Sequence, residues 1–243
     1  MVNTLKNKLR AIPHLPFSLF FDHEKIKEEI DSIPFSNNKY VSGFRKNKHM
    51  GIFDNDNNWE SYALYSINGD IYSDPDEGWT ESFKQTKLID YCPYTYETIH
   101  SFGGGKLLSR IEKIMPGHSV GWHSHVLEGG GFKDENILTM HLPVCIPKES
   151  KYSVVSYTDY CGSDYSKSIK TYESTYRNGQ VYCLNSYHYH NAFNYSDVPM
   201  VMIRFYIDIN VSKNYEMVET AVKQYSGEHI ETYENYISRL ENA

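Results

Sequence analysis

Four stretches decide the fold: Leu107-Leu108-Ser109-Arg110-Ile111-Glu112-Lys113-Ile114-Met115, Ile137-Leu138-Thr139-Met140-His141-Leu142-Pro143-Val144, Gly179-Gln180-Val181-Tyr182-Cys183-Leu184 and Val201-Met202-Ile203-Arg204-Phe205-Tyr206-Ile207. Short β-rich runs divided by turns point to a sandwich or barrel, not to alternating βαβ units. Upstream, Trp59 to Tyr65 is a further strand candidate among turn-forming Asn, Asp and Gly clusters. Tyr94 to Phe102 reads as a short helix broken by Gly103-Gly104-Gly105. That glycine run is no phosphate loop, because a strand follows it and the Lys-Ser/Thr ending is missing. Helical periodicity is confined to the two ends. Asp22 caps a helix over 22–33 through Ile26, Ile30 and Ile33, closed by Pro34. The tail, about 214–241, reads as one or two helices broken near Gly227. The expectation is a single domain over 1–243, mostly β, with a barrel core at about 59–209 and both end helices packed outside.

Composition excludes several classes of function. The chain has 243 residues, 40% apolar and 15% aromatic, with a formal net charge of −7. Area scaling gives roughly 11,000 Å² of folded surface against about 41,000 Å² for the extended chain, enough for a sizeable core without staples. The acidic balance, with no basic cluster larger than Arg45-Lys46-Asn47-Lys48, argues against nucleic acid. No apolar run reaches a membrane-span length, and Leu15 to Phe21 is a poor signal-peptide core interrupted by Pro16 and Ser18. Cys92, Cys145, Cys161 and Cys183 lack CxxC spacing and read as buried thiols, so the expected location is cytoplasmic.

The chemistry concentrates in Pro116-Gly117-His118-Ser119-Val120-Gly121-Trp122-His123-Ser124-His125. On a strand, residues i and i+2 share a face, so His123 and His125 can converge on one ion. His190, in His190-Asn191-Ala192-Phe193-Asn194, is the best third ligand; His188 is its rival, with the same parity. Imidazole suits Fe, Zn, Cu or Ni, so ligand type alone does not name the metal.

Ile114 through His123, Leu138 through Pro143, Gly179 through His190, and Asn194 through Asp197 occur in the order found in the aspartyl/asparaginyl β-hydroxylase family, which the chain resembles over roughly residues 59–209. The resemblance implies a double-stranded β-helix (a cupin or jelly-roll barrel), Fe(II) as metal, 2-oxoglutarate as co-substrate and O₂ as oxidant. It implies hydroxylation of an unactivated carbon of an amino acid, free or peptidyl. His123 and His190 match the family's iron-binding histidines, and His141 a histidine near the 2-oxoglutarate carboxylate. The departures are specific. His125 stands where many members carry an Asp ligand, Thr139 where a basic residue is usual, and Met200 where the 2-oxoglutarate arginine is usual.

Arg204 lies four residues beyond Met200 and shares its strand face, so it is the candidate for the distal carboxylate of 2-oxoglutarate. The alternative is an Arg paired with an Asp or Glu at the barrel mouth. Arg110 and Lys113 are candidates for a substrate carboxylate. Gly117, His123-Ser124-His125, Glu128 and His190-x3-Asn194 also resemble the two cupin motifs. Beside the oxygenase, the sequence therefore admits a three-histidine metal cupin (dioxygenase or isomerase) that does not use 2-oxoglutarate, and a non-enzymatic metal-binding barrel.

Overall fold

The computed structural model describes residues 2–34, 59–72, 83–102, 107–122, 136–155 and 170–230. Ten strands are defined among them: β1 His14–Phe20, β2 Trp59–Ser66, β3 Lys84–Gln85, β4 Ser109–Ile114, β5 Ile137–Cys145, β6 Lys151–Val155, β7 Thr171–Ser174, β8 Gln180–Leu184, β9 His190–Phe193 and β10 Met200–Asp208. The helices are α1 Val2–Arg10, α2 His23–Asp31, α3 Pro93–Ser101 and α4 Ser212–Gln224. The larger sheet runs β1-β8-β5-β10-β4-β2-β3 and the smaller β7-β6-β9, and every named pairing is antiparallel.

The alternation of each central strand divides its side chains between two different environments. Odd positions of β4 and β10, such as Ile111, Ile203 and Phe205, join one apolar cluster with Leu9 of α1, Ile26 of α2, Ile99 of α3 and Val218 of α4. Even positions, such as Ile114, Met200 and Met202, join a second cluster with Tyr152 of β6 and Ala192 of β9, between the two sheets. Helices therefore seal the outer face, and the smaller sheet closes over the inner one. The fold is a mostly β double-stranded β-helix with flanking helices.

Local chemistry accounts for the covering elements. Asp22 Oδ1 accepts the Lys25 backbone N–H at 3.1 Å, and Ile26 and Ile30 bury one side of α2. Glu29 reaches across from α2 to α3, where its carboxylate accepts the Tyr94 and Thr95 backbone N–H groups at 2.7 and 2.9 Å. The stretch weighed in sequence as a secretory core proves to be largely β1, an edge strand with Leu15 opposite Cys183. Its Pro16 is tolerated at an edge. α4 stops at Gln224, three residues before Gly227, and Tyr225 turns to extended backbone. Residues 231–243 lie outside the described residues. No described helix is long and apolar enough to cross a membrane.

Candidate active site

Three neighbouring strands bring charge onto the inner face of the larger sheet. Arg204 of β10 lies opposite Arg110 on β4 and opposite His141 on β5, and Met202 lies opposite Glu112. All four polar residues are buried, Arg110 to 1% and Glu112 to 2% exposure. From the smaller sheet, His190 of β9, paired with Val154 of β6, joins them. Trp59, Glu112, His141, His190, Met202 and Arg204 line one small cavity of about 20 Å³.

His190 is fixed by its own neighbourhood. Its Nδ1 lies 2.9 Å from the His188 carbonyl, an acceptor only, so Nδ1 carries the proton and Nε2 is the lone-pair nitrogen. This is the arrangement in which a metal-binding histidine is held by its second nitrogen. His188 is engaged elsewhere, its Nε2 3.2 Å from the Arg10 carbonyl at the end of α1. Asn194, the last residue of the H-x3-N pattern, is a buried hub. Its Nδ2 donates to the Ile114 and Val198 carbonyls at 2.8 Å, and its Oδ1 accepts from Ser196 Oγ at 2.7 Å. That Asn therefore ties β4 to the turn after β9 and holds the strand carrying His190.

The Pro-Gly segment runs beside β9. Ser119 bridges to Phe193, the Val120 N–H donates to the Ala192 carbonyl at 3.1 Å, and the Gly121 N–H donates to Asn191 Oδ1 at 2.9 Å. Trp122, the residue before His123, rests its ring edge-on to Phe193 with centroids 5.9 Å apart. His123, His125 and Glu128 lie outside the described residues. Among the described residues, no three His, Cys, Asp or Glu side chains come together as a metal site.

Arg204 forms a buried ion pair with Glu112, Nη2 to Oε1 at 2.8 Å. This is the alternative weighed in sequence for that arginine, realised on the barrel's inner face. Glu112 escaped the sequence reading although its spacing from Arg110 was a signal: two charges at i and i+2 on a strand lie on one face, and burial makes both consequential. Arg110 is fixed differently, its Nε donating to Ser61 Oγ at 2.6 Å. Lys113 is a correction. Three residues from Arg110 it has the opposite parity, and its Nζ lies 5.8 Å from the ring centroid of Tyr62, a residue of the outer apolar cluster.

The donor set can be tested against the implied groups. An imidazole fixed at Nδ1 and lining a buried cavity suits iron. Among the described residues, Arg204 pairs with Glu112 and lies opposite Arg110 on this face, and guanidinium groups suit carboxylates.

A double-stranded β-helix with a histidine and an arginine on one inner cavity belongs to the barrel class shared by oxygenases and cupins. Within that class, this chain belongs to the aspartyl/asparaginyl β-hydroxylase family, whose profile matches residues 21–208, and it is accordingly a hydroxylase-type oxygenase. An oxidoreductase of the 2OG-Fe(II) oxygenase family from Burkholderia pseudomallei shares the fold with TM-score 0.51 at 10% identity, covering 85% of this chain and 90% of its own. AviO1 from Streptomyces viridochromogenes Tue57 superposes with TM-score 0.46 at 8% identity, over 84% of this chain and 93% of its own. No curated protein matches this sequence.

Proposed function

We propose that this chain, as a single domain, is an Fe(II)- and 2-oxoglutarate-dependent dioxygenase that hydroxylates an unactivated carbon of an amino acid, free or peptidyl. His123 and His190 hold the metal, with His125 as third ligand. Arg204 anchors the distal carboxylate of 2-oxoglutarate, with His141 beside it, and Arg110 is available to a substrate carboxylate. The observation that supports this reading is His190, tied at Nδ1 to the His188 carbonyl and lining the same buried cavity as Arg204 and His141. Iron and 2-oxoglutarate, when bound, would supply the activation of O₂ and the abstraction of hydrogen.

The protein's own residues orient and exclude. Glu112 holds the Arg204 guanidinium in one direction, leaving its planar fork oriented for a carboxylate. Trp59, Met202 and Ala192 wall the cavity with apolar surface and keep water from it.

The test is metal analysis of anaerobically purified protein, followed by the spectrum of the Fe(II) form with and without 2-oxoglutarate. Expected outcomes are one iron per chain, a spectral change with 2-oxoglutarate, and succinate formation under O₂. His190→Ala should lose the metal while remaining folded. Arg204→Met should keep it and weaken 2-oxoglutarate binding by about 2 kcal/mol or more, as for a lost buried charge-assisted contact. One observation favours the second reading, a metal cupin without 2-oxoglutarate: Glu112 already gives Arg204 a carboxylate. Fe(II)-loaded protein that neither binds 2-oxoglutarate nor makes succinate establishes that reading instead.

A further inference from the structure

The inner core contains a column of three tyrosines that substrate binding does not employ. Tyr152 and Tyr176 stack with centroids 3.9 Å apart and planes 14° apart, and Tyr176 and Tyr182 with 4.0 Å and 4°. Aromatic pairs packed only for burial prefer offset or edge-on arrangements with larger centroid separations. One end of the column reaches the active-site cavity: His141 lies 5.4 Å from Tyr152 between ring centroids, and the Tyr152 hydroxyl donates to Met202 Sδ at 3.0 Å. The other end reaches a surface groove between β1, β7 and the end of α4, lined by Tyr182 and His14.

The middle tyrosine has a base. His14 Nε2 lies 3.2 Å from the Tyr172 carbonyl, which only accepts, so Nε2 carries the proton. His14 Nδ1 is then the acceptor for the Tyr176 hydroxyl at 2.9 Å. Burial lowers the His14 pKa to about 4, so the imidazole is neutral near pH 7 and able to accept. Tyr176, wholly buried, has its own pKa raised well above the usual phenol value by desolvation. A buried phenol that gave up an electron alone would become an isolated cation, which the interior disfavours. Giving its proton to a hydrogen-bonded imidazole leaves the ring neutral and moves the charge to a far more basic group.

We infer that Tyr176 and His14 form a redox-active pair that connects the oxygenase cavity to the surface groove through stacked Tyr152 and Tyr182. One-electron oxidation of Tyr176 breaks its O–H bond and forms an N–H bond on His14 Nδ1, leaving a neutral phenoxyl radical beside an imidazolium. The electron leaves through Tyr152 and His141 and reduces by one equivalent a strong oxidant formed from O₂ in the cavity when no substrate is bound. A small thiolate reaching Tyr182 from the groove is oxidised to a thiyl radical and supplies the electron that restores Tyr176, and the proton returns from His14 Nδ1 to the phenolic oxygen. The source of the oxidant rests on the proposed oxygenase function; the chemistry of the pair does not.

The two are separated by oxidising the metal-free protein with photogenerated tris(bipyridine)ruthenium(III) and following the radical by electron paramagnetic resonance and transient absorption. Wild type should give a long-lived tyrosyl radical that forms more slowly in D₂O. Tyr176→Phe, which keeps the ring, should lose it. His14→Gln, which retains an acceptor and a donor but no base, should also lose it. A long-lived radical persisting in Tyr176→Phe, or unchanged in His14→Gln, overturns the inference. Fe(II)-loaded protein given 2-oxoglutarate and O₂ without an amino-acid substrate should give the same signal. Should the photo-oxidant produce the Tyr176 radical while Fe(II), 2-oxoglutarate and O₂ do not, the connection to the cavity is overturned if succinate still forms, and the oxygenase reading fails if it does not.

Discussion

The two faces of the larger sheet are equally dry and unlike in chemistry. Ile203 and Arg204 are neighbours on β10, the first packed under the helices at 0% exposure and the second inside the barrel at 7%. Burial of Ile203 contributes through area and packing alone. Burial of Arg204, Glu112, Arg110 and His141 opposes folding unless each finds a partner, because desolvated charge and polarity are costly. A strand that carries the first kind of residue at odd positions and the second at even ones keeps stability on its outer face and chemistry on its inner one. The helices that cover the outer face keep its apolar side chains out of water.

The sharpest way to break this contrast is to change the two neighbours separately. Arg204→Met leaves Glu112 buried without its ion-pair partner and should destabilise the protein by about 3–5 kcal/mol in urea unfolding. Adding Glu112→Gln should recover part of that loss, because it removes the uncompensated carboxylate; full additivity of the two changes would mean the residues are not coupled. Ile203→Ala should cost about 2–4 kcal/mol by opening a cavity in the outer core. Metal content of the folded Ile203→Ala fraction should match wild type, and a loss of metal there would show that the faces are not independent.

A third test uses pH. His14 titrates near 4 in the folded protein against 6.5 as its ordinary value, because burial disfavours its charged form. Between those values the unfolded chain binds a proton that the folded one does not, so stability is full above about pH 6.5 and falls as the pH drops toward 4. The total loss should be about 3 kcal/mol, levelling off below that range. Urea midpoints across this window should show that slope in wild type and lose it in His14→Gln.

The strands of the larger sheet were legible because they are long and alternate cleanly. The expected Leu107–Met115, Ile137–Val144 and Val201–Ile207 correspond to β4, β5 and β10 within a few residues. The smaller sheet was less legible. β7, Thr171–Ser174, is four residues long and only partly buried, too short for its period to stand out, and its place is set by pairing with β6. β1 was obscured by Pro16 within it, by Pro13 just before it, and by its partner, β8, which is distant in sequence. At the site, the parity argument placed Arg204 on the face of Met200 correctly, since parity is a local property. The Glu112–Arg204 pair was not legible, because which carboxylate meets which guanidinium depends on the register between β4 and β10. Lys113 was grouped with Arg110 only because the two are close in sequence; their alternation puts them on opposite faces.

The position of β1 has a consequence for how the chain assembles. Leu15 pairs with Cys183, the Asn185 side chain donates to the carbonyls of Leu9, Arg10 and Ile12, and the Ile230 N–H donates to Ala11. During synthesis on the ribosome this strand emerges long before β8 and cannot acquire its ladder until residue 184 has followed it. Closing so long a loop before any pairing energy is returned makes this edge slow to form. Until then its apolar residues, Leu15 and Phe17, remain open to chaperones and to other nascent chains.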